Sequence, residues 1–184
     1  VLFDFWEDGL IRIESDPSNI SVTGGTVHII RDDGSSNEFV VTSNAPFYNL
    51  ILSGVGQDLD VELYQDWVIL NDFTINDRAT LEANSWLGTY DVTIGGDFTI
   101  NDGGAYNHDD NTTTFNGNQN SVITIENTTT QEYLTFYDLV IDKTPTSSKA
   151  TAWSITLSSP GRSETAGVAE NHEKTIENDL KINE

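Results

Sequence analysis

The chain of 184 residues contains no cysteine and no methionine, and only 8 basic residues stand against 30 acidic ones. Without cysteine, the chain can form neither disulfides nor thiolate metal sites. The formal net charge of −22 repels phosphate backbones and anionic membrane surfaces, so we expect no nucleic acid as a partner. No apolar run approaches the roughly 18 residues of a membrane-spanning helix, and we expect no membrane insertion. These absences favour an acidic protein suited to an aqueous exterior.

The hydrophobic fraction is low at 36%, although 10% of the residues are aromatic. A chain too polar for a thick core can still fold if it buries a narrow core along an axis, as solenoids do. Disorder is the competing interpretation of an acidic chain. The eight Phe, six Tyr and four Trp residues argue against it.

A short phrase recurs in the sequence. Residues 71–77 read Asn-Asp-Phe-Thr-Ile-Asn-Asp, and 25 residues later residues 96–102 read Gly-Asp-Phe-Thr-Ile-Asn-Asp. A degenerate copy occupies residues 178–184. In each copy the apolar side chains point one way and Thr and Asn the other, which predicts a short strand. A strand that recurs at this spacing is typical of solenoid coils.

If the recurring strands stack as coils, residues 121–125 lie beneath the two phrases. Stepping back by the same distance from the first phrase reaches Phe47. We expect Asn76 and Asn101 to form a ladder at a corner, and the Asp residues of the phrase to face mostly solvent. The apolar side chains expected to stack inside are Phe73, Phe98 and Ile123, and next to them Ile75, Ile100 and Ile125.

A longer repeat is also visible, because residues 47–52 resemble residues 136–141. Each segment is followed by a loop, a Trp-containing strand and a copy of the phrase. We therefore predict a single β-helical region over residues 1–184, with roughly two copies of a longer unit at about 1–95 and 96–184. The chain is expected to be a fragment of a longer repeat protein.

The predicted fold is all-β, a parallel β-helix with coils of about 25 residues. A β-sandwich is the alternative, since it is also built from short strands and frequent turns. The return of the same residues at the same coil position favours the β-helix.

Three segments carry a family resemblance: residues 96–103, residues 112–117 and residues 136–141. Together they resemble the β-helical repeats of very large surface and secreted proteins of Bacteroidetes, which include gliding-motility adhesins. The resemblance implies a scaffold, export by the type IX secretion system, and a location outside the cell or on its surface. It also implies partners: neighbouring repeats of the same parent chain, surface polysaccharide or the secretion machinery.

Three functions are weighed. The first is a non-catalytic scaffold or adhesin segment, and the second is a carbohydrate-binding β-helix module. In the second, Tyr64, Trp67, Trp86 and Tyr90 would lie in neighbouring coils and offer aromatic platforms to sugar rings. The alternative for these aromatic residues is a place in the core.

The third function is a β-helix enzyme that degrades polysaccharide, using carboxylates with a basic partner. Carboxylates are abundant, whereas the basic candidates in the body of the coil region are Arg12, Arg31 and Arg78. No nucleophile motif is present. We therefore expect a non-catalytic protein.

Two acidic clusters could offer oxygen ligands to Ca²⁺, the one cofactor that the sequence suggests. The first combines Asp102 with Asp109 and Asp110, and the second is Asp32 with Asp33. Neither cluster has the spacing of an EF-hand or of a calcium-binding β-helix repeat. The alternative interpretation is a pair of turns rich in Asp and Asn.

Overall fold

The computed structural model describes residues 9–13, 19–31, 39–85, 87–126, 134–144, 155–158 and 174–182. These ranges contain eighteen β-strands and no α-helix. In chain order the strands are β1 Gly9–Ile13, β2 Thr26–Arg31, β3 Phe39–Ser43, β4 Asn49–Gly54, β5 Leu59–Leu63, β6 Trp67–Ile69, β7 Phe73–Ile75, β8 Ala79–Glu82, β9 Asn84–Ser85, β10 Gly88–Thr89, β11 Val92–Ile94, β12 Phe98–Ile100, β13 Ala105–Asn107, β14 Thr112–Gly117, β15 Ser121–Ile125, β16 Leu134–Lys143, β17 Ile155–Ser158 and β18 Lys174–Ile182.

Three parallel sheets form the sides of the molecule. The first sheet has the order β1-β3-β5-β8-β13, the second has the order β18-β16-β14-β11-β6, and the third has the order β17-β15-β12-β7-β4-β2. The chain visits the sheets in turn: β5, β6 and β7 make one coil, β8, β11 and β12 the next, and β13, β14 and β15 the one after. The fold is a β-solenoid of about four turns with coils of about 25 residues.

The predicted parallel β-helix is therefore confirmed, and the β-sandwich is excluded because sandwich sheets are antiparallel. The one antiparallel pair among the described strands is the small hairpin of β9 and β10, which lies in the chain between β8 of the first sheet and β11 of the second.

The predicted stacking of the repeated phrase is also confirmed. Phe98 pairs with Phe73 on one side and with Ile123 on the other, and all three side chains are fully buried. The Asn101 Nδ2 atom donates to Asn76 Oδ1 over 2.6 Å. The coil spacing read from the sequence thus holds for the middle of the solenoid.

The longer repeat does not occupy equivalent places. Phe47 bridges to Ile69 beside the second sheet, and it is Leu50 that pairs with Phe73 in the third. Residues 136–141 belong to β16, a strand of the second sheet, whereas β4 lies in the third. The degenerate phrase also differs, since β18 pairs with β16 in the second sheet while β7 and β12 lie in the third.

The core is narrow and partly aromatic. Period-2 alternation turns every second side chain of each strand inward, as in β6, where Trp67 and Ile69 are buried and Val68 is exposed. Phe98 stacks on Phe73 with ring centroids 5.2 Å apart and an angle of 12° between the planes. On its other side Phe98 meets Tyr106 and Phe115, which both approach Phe136. Aromatic contacts therefore connect successive coils along the axis.

Among the described residues, Phe98 has the most aromatic contacts. We therefore expect Phe98→Ala to lower the free energy of unfolding by about 3–5 kcal/mol, through lost burial and a residual cavity. Urea unfolding followed by tryptophan fluorescence measures the change. Leu87→Ala is the control: Leu87 is 54% exposed, and its truncation should cost less than about 0.5 kcal/mol. Equal losses in the two variants would contradict the described core.

Candidate functional site

A polar cleft of about 450 Å³ opens where the strands of the first sheet end and the chain turns toward the second. Eight described residues line it, from three successive coils: Glu82, Asn84, Tyr106, Asn107, His108, Asp109, Asp110 and Thr135. Glu82 ends β8, Asn107 ends β13, and Thr135 lies in β16. Because parallel strands end at the same edge, the solenoid brings these distant residues together.

Hydrogen bonds between coils hold the polar side chains of the cleft. Asn107 Nδ2 donates to Glu82 Oε1 over 2.6 Å. His108 Nε2 is hydrogen-bonded to Thr135 Oγ1 over 2.7 Å, and His108 Nδ1 is close to the carbonyl oxygen of Asp109. Asp109 has a φ of 45°, in the left-handed region that Asp tolerates better than most residues. The turn after β13 therefore presents its side chains in a fixed arrangement.

Beneath the cleft lies a buried hydrogen-bond network. Tyr106 Oη is 2.7 Å from Thr113 Oγ1 and accepts from Asn111 Nδ2 over 2.8 Å. Asn111 Nδ2 also donates to the carbonyl oxygen of Tyr90 over 3.3 Å. Burial raises the pKa of Tyr106 to about 12, and the hydrogen bonds with Thr113 and Asn111 offset part of this rise. Tyr106 is thus a neutral hydrogen-bonding group and no candidate base near neutral pH.

Carboxylates at two corners bind the backbone of the next coil. At one corner Asp97 N donates to Asp72 Oδ1 over 2.9 Å, and Val122 N donates to Asp97 Oδ1 over 2.8 Å. At the other, Asp91 N donates to Asp66 Oδ1 and Thr112 N donates to Asp91 Oδ1. Asp97 is solvent-exposed as expected, but its function in the fold is to accept a backbone donor. The recurrence of Asp at the coil spacing is the sequence signal for this.

Lys143 is a buried cation that the sequence reasoning missed. Its side chain is 1% exposed, and its Nζ donates to Gly95 O over 3.0 Å, to Asn116 O over 2.5 Å and to Ser121 Oγ over 2.6 Å. Burial lowers the pKa of Lys143, and the nearby Asp97 carboxylate partly offsets this. The alternation of side chains along β16 indicates this burial, because Lys143 follows Leu139 and Ile141 at the inward-facing positions of the strand.

The predicted aromatic platform is not assembled among the described residues. Trp67 is fully buried and meets Phe47 edge-on with ring centroids 5.4 Å apart, so it is a core residue, as the alternative interpretation held. Tyr90 is partly buried and packs against the core, and Tyr64 is partly buried in the bend after β5. Trp86 lies outside the described residues.

The predicted calcium clusters are only partly described. Asp109 and Asp110 lie together in the cleft, whereas Asp102 lies in the turn between β12 and β13 and does not line it. Asp32 and Asp33 lie outside the described residues. Within the described ranges, no group of three or more His, Asp or Glu side chains is placed to hold a metal ion.

Within the portion of the chain that the structure describes, no helix is long and apolar enough to cross a membrane. No family model, curated protein or solved structure matches the chain.

The raised pKa of Tyr106 predicts a loss of stability at alkaline pH. The folded state keeps a phenolic proton that the unfolded state releases above its ordinary pKa of 10.0, so unfolding is favoured as the pH rises. Between pH 9 and pH 11 we expect the wild type to lose about 1.4 kcal/mol more than Tyr106→Phe. Urea unfolding of both proteins across this range measures the difference.

The comparison with Tyr106→Phe isolates the phenol. Lys143, whose pKa is lowered, makes the folded state more stable as the pH rises toward 10.5. It does so in both proteins, and its effect cancels in the difference. Parallel pH curves for the two proteins would contradict the buried neutral phenol.

Proposed function

We propose that this chain is a non-catalytic scaffold segment of a bacterial cell-surface or secreted protein, of the kind that forms an adhesin stalk. The observation that carries the proposal is the continuous hydrogen bonding along the axis. Strands of each coil bind strands of the coils before and after it, as β12 binds β7 and β15. Such a rod keeps its ends at a fixed distance and can connect neighbouring repeats of a longer chain.

The corner carboxylates add to this axial bonding. The hydrogen bonds between two strands stop where their pairing ends. Without another acceptor, the backbone N–H groups next to the paired residues would bond only to water. Asp97 takes up one of these donors, the N–H of Val122. Hydrogen bonds to a charged acceptor are stronger than those between neutral groups, so the corners resist the separation of coils together with the strands.

The outer face in the middle of the third sheet is polar, which supports a place in an aqueous environment. On the third sheet, the outward row of Thr74, Thr99 and Thr124 runs along the axis beside the buried Phe and Ile residues. With the net charge of −22, such a surface favours solubility over self-association.

Single-molecule pulling tests the scaffold role. The chain is held between two marker domains and stretched from its ends, so that the force acts along the hydrogen bonds between coils. We expect successive steps, each releasing one coil of about 25 residues, or about 80 Å of extended chain. A gradual extension without steps, or a single collapse of the whole chain, would contradict a rod built of separable coils.

Variants of Asp97 sharpen this test. Asp97→Ala removes the acceptor for Val122 N and should cost about 1–2 kcal/mol, which lowers the force of one step and leaves the others unchanged. Asp97→Asn keeps an acceptor oxygen but loses the charge, and it should fall between Asp97→Ala and the wild type. Thr99→Ala, an outward-facing change in the adjacent strand, is the matched control and should leave every step unchanged.

A further inference from the structure

We propose that the polar cleft beside β8 and β13 binds a neutral saccharide that lies along the solenoid axis. This inference is independent of the scaffold role, because the cleft is a local feature of one edge. Its lining comes from three successive coils. Adjacent strands lie about 4.8 Å apart, so the lining spans about 10 Å along the axis. An elongated ligand therefore fits this cleft better than a compact ion.

The chemistry of the lining favours hydroxyl groups. Ligand pockets are usually lined mostly by apolar side chains, whereas polar groups dominate here. Asn84 and Asn107 offer amides that both donate and accept, and the Thr135 hydroxyl, which the contact with His108 orders, also has both functions. A cation needs acceptors only. A hydroxyl group both donates and accepts, and so it matches the mixed lining.

The acidic lining of the cleft favours neutral saccharides over acidic ones. Glu82, Asp109 and Asp110 line the cleft, and its described lining includes no lysine or arginine. A carboxylate or sulfate on the ligand would meet these acidic groups without a basic counter-charge. Carboxylates accept hydrogen bonds from neutral hydroxyl groups without such a penalty.

The cleft is also organised before any ligand arrives. The bonds from Asn107 to Glu82 and between His108 and Thr135 restrict four of the lining side chains. Tyr106 supports the cleft from below, since its hydroxyl is bound within the buried network and its ring packs against Phe98 and Phe136. Side chains that are already ordered lose less entropy on binding, which raises affinity.

Native affinity electrophoresis tests the proposal. The purified chain is run through gels that contain dextran, laminarin, galactomannan or xyloglucan, and through a gel that contains the acidic polysaccharide alginate. We expect retardation by at least one of the neutral polymers and none by alginate. Retardation by alginate alone, or none in any of the four neutral gels, would overturn the proposal.

Variants locate the binding. Asn107→Ala and His108→Ala should each lower the association constant about tenfold, the equivalent of about 1.4 kcal/mol. Gln119→Ala, an exposed change in the turn between β14 and β15, is the matched control and should stay within about twofold, below the 0.5 kcal/mol typical of surface changes. Urea midpoints that match the wild type show that the variants are folded.

Two further outcomes are decisive. If retardation is the same in wild type, Asn107→Ala and His108→Ala, the saccharide binds elsewhere and the proposal fails. If retardation disappears when EDTA is added, a metal ion is required, and the direct recognition proposed here is wrong. His108→Gln keeps a hydrogen-bonding group at this position and should recover some of the affinity that His108→Ala loses.

Discussion

Hydrogen bonds between coils hold the described part of this protein together, and the small hairpin of β9 and β10 is the one strand pairing there that lies within a single coil. The strands of the three sheets bind only strands that come from other coils. A coil alone would leave its backbone donors and acceptors to water, so stability depends on neighbours. This explains how so polar a chain folds. Each coil needs only a few inward-facing apolar side chains, because backbone hydrogen bonds to the neighbouring coils provide the remaining interactions.

The region of the fold that the sequence predicts well is the one in which coils have equal length. Between Phe73, Phe98 and Ile123 the spacing is constant, and inward positions, outward positions and the Asn corner all follow from one period. Elsewhere the spacing changes. Val61 pairs with Leu81, and Thr113 pairs with Leu139, so the step is 20 residues at one place and 26 at the other. Turns of different length accommodate these differences in coil length without a clear sequence signal. A prediction that uses a fixed period then assigns a strand to the wrong sheet.

The misassigned segments have a common cause. Residues 47–52 and 136–141 look alike because both place apolar residues at alternate positions, which every side of this solenoid requires. The candidate site was hidden for a different reason. Its residues belong to three coils and carry no local motif, so only the stacking brings them together. Trp67 and Lys143 could have been found, because alternation with their strand neighbours marks both as inward-facing.

The buried ammonium of Lys143 reaches back 48 residues to the carbonyl of Gly95. That carbonyl lies in a corner where a side chain has no room, since a Cβ on Gly95 would approach Leu70 O to 2.2 Å. A solenoid can open coil by coil, because each coil contacts mainly its neighbours. At Lys143 the opening must break three hydrogen bonds of one cation at once and also separate adjacent coils. One side chain therefore connects three successive coils, those of Gly95, of Asn116 and of Lys143 itself, whereas each strand ladder connects only two.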